Sequence, residues 1–426
     1  MKVCTVILGA GKSSRMNSTI PKPFHKIANL KLIDWILNLL NSIKVDKKII
    51  VTSKHVKFCE YKNVAEIVVQ NKQLGTGDAV LTTYEKLKKF KGIILVCFAD
   101  TPFISNKTIT KLISSIKNRN HISITGFRNV KKNSYGKIIT SNEKSPMKII
   151  EDKNSKINVD LCNGGIMAFD SNVMFELLKK IKPDKISKEY FLTDVVELAF
   201  NRNFKIDLIE VEENEIIGIN TRQDLIKAEK FAQNRLKNFL LNKGVSLLDP
   251  TTTYLSYDAT IQKDVIIHPN VVISNNVKIR SGSEIFPFCH IENCIIHKNV
   301  SVGPFARIRG NAELGDGSKI GNFVELKNVV LKNEVKINHL SYIGDAKIGK
   351  KTNVGAGTIT CNYDGFKKNT TSIGYNAFIG SNSTIIAPIK IGNNSTIGAG
   401  SVITEDVKQN ELAIGRSKQV TKKNRS

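Results

Sequence analysis

Aromatic residues are scarce in this chain, at 7% of 426 residues with a single tryptophan, and prolines number only 10. So few rings argue against the stacking platforms that single-stranded nucleic acid uses. Acidic residues are also short, 38 against 64 lysines and arginines, which leaves a formal charge of +26. No nucleic-acid-binding motif accompanies that charge. Lys, Asn and Ile are over-used throughout, core positions included, so the excess reads as a bias of the whole chain rather than a basic patch. What it retains is an attraction for anionic small molecules. Long apolar runs are missing: "GIILVCFA" at Gly92–Ala99 is among the longest, well under the ~18–20 residues of a membrane span. The opening "MKVCTVILGAGKSSRM" ends its apolar run in a glycine loop and lacks a secretory cleavage site. The expectation is a cytoplasmic chain starting at Met1. Cysteines are odd in number (Cys4, Cys59, Cys97, Cys162, Cys289, Cys294, Cys361) and show no CxxC spacing. That fits reduced, mostly buried thiols better than a disulfide framework or a zinc site.

What is present divides in two, as the length predicts. Residues 1–220 alternate apolar strands with helical patterns: strand "KVCTVIL", helix "LIDWILNLLNSI", strand "KKIIVTS", helix "GDAVLTTYEKLKKF", strand "GIILVCFAD". This alternation implies an α/β, Rossmann-like, mostly parallel sheet covered on both faces, with ligands at the carboxyl ends of its strands. The glycine loop after Leu8 and Asp100 both fall at such ends. Residues 221–243 read as one amphipathic linker helix, capped by Thr221 and Gly244, with Leu225, Ala228, Ala232, Leu236, Phe239 and Leu240 on one face.

Residues 244–416 read as the second domain, and from Ala259 a six-residue beat takes over. Ile261, Ile267, Ile273, Ile279, Ile285 and Ile291 recur; after five-residue steps the beat resumes at Ile296, Leu331 and Ile348, and it closes with Ile373, Ile379, Ile385, Ile391, Ile397 and Ile403. Period six fits neither helix nor strand. It fits a solenoid whose coils have three flat sides, each hexad placing one aliphatic residue inward. "CNYDGFKKNTT", Cys361–Thr371, interrupts the beat and predicts a loop thrown out of one coil. Residues 417–426, "SKQVTKKNRS", predict a disordered tail.

At the hexads the chain resembles hexapeptide-repeat acyltransferases, and that resemblance implies a left-handed parallel β-helix. The first half resembles sugar nucleotidyltransferases in "LGAGKSSRM", "PKPFHKIANLKLIDWIL", "QLGTGDAV", "CFADTPFI", "SYGKI", "IIEDK", "CNGGIM", "KEYFLTD" and "IIGINTRQDL". Together the two halves look like the bifunctional N-acetylglucosamine-1-phosphate uridylyltransferase/glucosamine-1-phosphate acetyltransferase family over nearly the whole chain. The resemblance implies that Leu8 and Gly11 wrap a nucleotide, that Gln70, Gly75 and Thr76 read uracil, and that Gly136, Glu151 and Asn163 hold the sugar. Asn220 contacts the sugar nucleotide as well. Arg15 and Lys22 would neutralise charge on the triphosphate, while Asp100 and Asn220 would hold Mg²⁺, a hard cation suited to oxygen ligands. In the hexad half it implies that Arg309, Lys327, Tyr342, Asn353 and Lys368 bind the amino-sugar phosphate. Ala356, Asn362, Tyr363, Ser381, Ala399 and Arg416 would bind acetyl-CoA. His339, two residues past the inward Ile337, would be the general base, matched near neutrality to deprotonating an amine.

The chain departs from the family pattern at Phe98–Ala99, where Tyr–Gly is usual, at Gly164 for Thr and at Lys137 for Arg. It also lacks a proline after Arg309, where Gly310 predicts a small backbone difference. The remaining histidines keep no hexad phase, which argues against a zinc triad. Expected partners are glucosamine 1-phosphate, acetyl-CoA, UTP and two further copies in a homotrimer, with neither nucleic acid nor membrane insertion. Two other readings stand beside this one: uridylylation alone with the β-helix as a trimer scaffold, and a non-enzymatic sugar-nucleotide-binding or nucleic-acid-associated structural protein.

Overall fold

The computed structural model describes residues 1–11, 14–129, 135–141, 145–151 and 159–423. The chain forms two compact units, Met1–Glu229 and Lys230–Ser426. Among the described residues no helix is long and apolar enough to cross a membrane.

The first unit is built on β1 (Lys2–Leu8), β2 (Lys47–Ser53), β3 (Glu66–Gln70), β4 (Gly92–Phe98), β5 (Ile122–Arg128), β6 (Lys137–Thr140), β7 (Pro146–Ile150), β8 (Leu161–Asp170) and β9 (Ile206–Glu210). Seven of these lie in the order β9-β5-β8-β4-β1-β2-β3, with β6 and β7 paired off beside β8. All neighbours along that path are parallel except at β8, which runs against both β4 and β5. The apolar strands are buried on both faces because successive side chains alternate between them. Val6 and Leu8 join one core while Val3 and Ile7 join the other; Ile94 and Val96 divide from Ile93 and Leu95 in the same way. "GDAVLTTYEKLKKF" does not form the single helix expected. It breaks into Thr76–Leu81 and Tyr84–Leu87. The hydroxyls of Thr82 and Thr83 donate back to the carbonyls of Ala79 and Val80, the local competition that ends a helix.

The helix Arg222–Asn242 opens with Thr221 accepting from the Asp224 N–H while Asp224 accepts from the Thr221 N–H. It closes as predicted: Gly244 N–H bonds Leu241 and Val245 N–H bonds Leu240. Its apolar face differs from the expected one. Ala228, Ala232 and Leu240 are buried, but Phe239 is 55% exposed, and the polar Gln233 and Lys237 are buried instead. Gln233 exchanges two hydrogen bonds with the Leu255 backbone, and Lys237 lies over the Tyr254 ring. Those partners come from the following coil and were invisible to helical periodicity.

The second unit is a three-sided parallel β-helix. One face runs from Ser246 through Ile266, Glu284, Ser301, Lys319, Lys336 and Asn353 to Phe378 and Thr396. A second begins at Tyr254–Val272 and a third at Thr260–Lys278. The inward residues form one continuous core, with Ile267, Ile285, Ile308, Ile337, Ile343, Ile379 and Ile397 all fully buried. Corners need left-handed backbone, and Asn is the non-glycine residue that tolerates it best. Asn270, Asn276, Asn299, Asn328, Asn376, Asn382 and Asn394 stand at corners with φ between 52° and 60°. In this half the abundance of Asn therefore has a conformational cause beyond a compositional bias. On the third face Val330 pairs with Lys347 17 residues on, whereas Lys347 pairs with Ser372 25 residues on. The excess is the Cys361–Thr371 loop. The predicted tail has no secondary structure and is exposed through residue 423, while 424–426 lie outside the described residues.

Candidate active sites

In the first unit, β1 and β4 are adjacent and in register from Lys2–Gly92 to Leu8–Phe98, so their carboxyl ends coincide. Ala99 N–H donates to the Leu8 carbonyl and Ile219 N–H to the Asp100 carbonyl, which ties Leu8, Asp100 and Asn220 to one edge. The helix start at Thr221 fixes Asn220, whose own N–H donates to Asp224. Lys22 Nζ bonds the Asp100 carboxylate and lies 2.9 Å from Asn220 Oδ1, while Arg15 Nη2 donates to the same oxygen at 2.9 Å. Two oxygens, one of them charged, thus converge on a single cation. That donor set fits a hard divalent ion. Of the glycine-rich loop, Gly11 is exposed, and Lys12 and Ser13 lie outside the described residues.

Around the expected base pocket, Gln70 is buried and its amide donates to Gly75 O and Asp78 Oδ2. Thr76 accepts from Leu192 N–H and Gly77 N–H donates to Tyr190 O, so "KEYFLTD" clasps "LGTG". Nothing in the spacing of the two motifs, more than a hundred residues apart, links them. Gln73, not among the expected site residues, also joins the loops here: its amide donates to the Ala10 carbonyl of the glycine loop. The expected sugar residues meet: Asn163 N–H donates to Gly136 O, and a Cβ on Gly136 would stand 3.1 Å from the Glu151 carboxyl carbon. Gly164 has a physical reason. A Cβ there would lie 2.5 Å from Thr125 Oγ1, because the Thr125 hydroxyl fills that space, bonding both N–H and C=O of Ile166.

In the β-helix the expected residues gather at two different corners. At one, Asn322 and His339 sit side by side on the first face, just before corner residues Phe323 and Leu340. His339 is exposed, and its Nδ1 is 2.6 Å from Asn322 Oδ1, which accepts the ring N–H and leaves Nε2 as the basic nitrogen. Asn322 was not foreseen; as the equivalent residue one coil earlier it was findable from the period. Ala356, Ser381 and Ala399 occupy the same position in later coils, two residues past inward Val354, Ile379 and Ile397. These small side chains form a shallow track running away from His339, and Arg416 Cδ lies beside Gly400 at its end. Asn353 lies on the same face.

The other corner holds the cations. Arg309 and Lys327 are consecutive rungs, and Gly310 follows Arg309 with φ 73°, which a proline could not adopt. Arg309 itself lies with its Nε 2.7 Å from Glu325. The Tyr342 hydroxyl and the Asn362 amide both lie over Gly344, 2.5 and 2.9 Å from where its Cβ would stand. The interrupting loop closes on itself as a small hairpin: Tyr363 bridges Lys368, Asn369 N–H donates to Asn362 O, and Asp364 accepts from Phe366 and Lys367 N–H. Those backbone donors pull the Asp364 carboxyl down to about 2. The Lys327 ammonium beside Lys368 holds it below the usual lysine range. From Leu340 to Asp345 the second face extends five residues, about 15 Å of strand, between the His339 corner and the lysines.

A nucleotidyltransferase joined to a hexapeptide-repeat acyltransferase is what this fold and these two sites define. Residues 5–137 match a MobA-like NTP transferase domain, 290–373 a GMPPB C-terminal domain and 370–405 a hexapeptide repeat of succinyl-transferase. The chain is 42% identical to the bifunctional protein GlmU of Wolbachia pipientis wMel over 98% of both chains. It is 40% identical to that of Zymomonas mobilis, covering 98% of this chain and 95% of the relative. Against the GlmU of Bartonella quintana the identity is 39%, over 99% and 96%. The chain belongs to the GlmU family, bifunctional enzymes with uridylyltransferase and acetyltransferase activities, which use a nucleotide and acetyl-CoA as co-substrates.

Proposed function

We propose that the two transfers run at separate sites, acetylation at a β-helix site shared between copies of a trimer and uridylylation, with Mg²⁺, in the first unit. The observation that carries this reading is the division of the acetyl-transfer residues between two corners. His339 and its small-residue track lie at one; Arg309, Lys327, Tyr342, Asn362 and Lys368 lie at the other. A second copy laying its cation corner against the His339 corner would complete the set, and C₃ symmetry would generate three equal sites.

The surface at the His339 corner supports such docking. Phe288, Phe305 and Phe323 stack there in successive coils, with centroids 4.9 and 5.0 Å apart. They remain 53%, 46% and 54% exposed, as does Leu340 at 63%. A groove of about 460 Å³ lined by Phe305, Phe323, Asn322 and His339 lies beside them. The hairpin loop carries Phe366 at 96% exposure, an apolar tip suited to a neighbouring copy.

In the acetyl step the amine of glucosamine 1-phosphate attacks the thioester carbonyl. Nε2 of His339 takes the amine proton, and coenzyme A leaves as the thiolate. The lysines and Arg309 hold the phosphate. In the first unit, the α-phosphate of UTP is attacked in line by the sugar phosphate oxygen and pyrophosphate leaves. The nucleophile is already an anion, so the protein supplies position and charge rather than a base. Asp100 and Asn220 would hold Mg²⁺, which when bound offsets phosphate charge. Lys22, released from these oxygens, would then turn with Arg15 to the triphosphate. A cytoplasmic setting accords with the seven cysteines being free thiols.

Mixing two inactive chains tests the shared site. His339→Ala and Asn362→Ala chains, dissociated and reassembled together, should regain part of the acetylation, because some sites in mixed trimers receive both intact residues. Mixed trimers verified by mass that remain inactive would place the whole site within one chain.

A further inference from the structure

At the cation corner one acidic side chain has no assigned task. Asp345 follows Gly344 at the corner with φ 48°, and its side chain is 10% exposed. Its carboxylate joins three coils. Oδ2 lies 3.1 Å from Lys327 Nζ and accepts from the Asn362 amide, while Oδ1 accepts from the Asn328 amide at 2.6 Å. Burial pushes this carboxyl up, but the hydrogen bonds from Asn328, Asn362 and Lys327 outweigh it and hold it below the usual range. The other ionisable groups here are Lys368, Tyr342 and Arg309, the last already paired with Glu325.

We propose that Asp345 is a positioning residue for acetyl transfer, its carboxylate fixing the Lys327 ammonium and the root of the loop at Asn362 in one geometry. The proposal rests on the acetyl-transfer reading of this corner. Three cations crowd together where a phosphate is to bind, and without a bound anion they repel. A fixed negative charge beneath them keeps Lys327 in place and charged before the substrate arrives. The same oxygen that pairs with Lys327 orients Asn362, so the phosphate side and the acyl side of the site are held through one atom. Preorganisation of this kind requires satisfied partners. An amide in place of the carboxylate would turn an N–H₂ towards a donor and lose the charge.

Asp345→Asn, nearly isosteric, is the test, with initial rates of acetylation measured against glucosamine 1-phosphate and acetyl-CoA across pH. The KM for glucosamine 1-phosphate should rise by about tenfold or more, with a smaller change in kcat. The alkaline limb of 1/KM should also move to lower pH, because Lys368 sheds its proton more readily once the nearby negative charge is gone. A merely structural residue would not move that limb. Uridylylation in the same chain reports on folding of the first unit, and circular dichroism on the β-helix. A KM within about twofold of wild type with an unmoved limb overturns the proposal. If Asp345→Asn does not fold, Asn328→Ala releases one arm of the carboxylate and should raise the same KM about threefold; no change there overturns it equally. A wild-type chain that does not acetylate sinks the acetyl-transfer reading and this proposal with it. An active wild type with an unaffected variant sinks the proposal alone.

Discussion

The two charged clusters of the candidate sites gather their side chains in opposite ways. In the first unit Lys22 meets Asp100 across 78 residues and Arg15 meets Asn220 across 205. Strand order does this work: β1 and β4 are neighbours, so loops remote in sequence share one edge. In the β-helix, Lys327 meets Asp345 18 residues on and Asn322 meets His339 17 residues on, one coil in each case. A sheet builds a site at one end through its crossovers. A solenoid builds a site along a corner through its register, and whatever belongs on another corner must come from elsewhere. The first arrangement gathers its charged groups within one chain; the second leaves them at two corners, where the shared-site proposal has a neighbouring copy join them.

The largest break expected is at Asp100. Asp100→Ala should reduce uridylylation, read as pyrophosphate release, on the order of 10⁴-fold, since several kcal/mol of charge stabilisation are lost with the metal. Acetylation should stay near wild type, and a folded variant losing both activities would contradict the separation of sites. His339→Ala should mirror it, lowering acetylation by ~10²–10⁴-fold while uridylylation of supplied N-acetylglucosamine 1-phosphate persists. Unchanged acetylation at neutral pH would make His339 a bystander.

Smaller effects sharpen the contrast through packing and charge in the first unit. Gly164→Ala drives a methyl into Thr125, so it should cost about 1–3 kcal/mol and lower the melting temperature of that unit. Thr125→Ala in the same chain should recover part of the loss, and no recovery would mean the clash is not the cause. The smallest concerns Asp194, whose carboxyl is raised to about 6 by burial first and by the nearby Glu151 second. The folded form then holds its proton where the unfolded chain has already released it. Stability from this group is present below about pH 4 and declines as pH rises to about 6. Asp194→Asn should therefore melt higher than wild type at pH 7.5, with the gap closing near pH 4. A gap independent of pH would point to packing rather than ionisation.

Much of the β-helix was legible because an inward residue every sixth position is a local rule that each coil repeats. The loop at Cys361–Thr371 was legible for the same reason, as the place where the rule fails. The sheet was legible as a strand–helix alternation with buried apolar strands. Where local pattern and outside partners disagreed, the pattern lost. Phe239 is exposed because Gln233 and Lys237 answer to Leu255 and Tyr254, and the helix after Gly75 broke at two threonines with carbonyls in reach. The roles proposed for the site residues come only from resemblance: the hexad phase puts His339 at the surface, two residues past Ile337, but says nothing of what it does there.

The sequence by itself determined two units, a doubly covered sheet and a three-sided solenoid, since apolar periodicity dictates which side chains leave water. Only the tertiary structure decided that β1 and β4 lie side by side, and so that Lys22, Arg15, Asp100 and Asn220 meet. It also decided that His339 and Lys327 stand at different corners, and that Asp345, ordinary in the sequence, lies beneath the cations. These are matters of which backbones become neighbours, and no single stretch of chain carries that information.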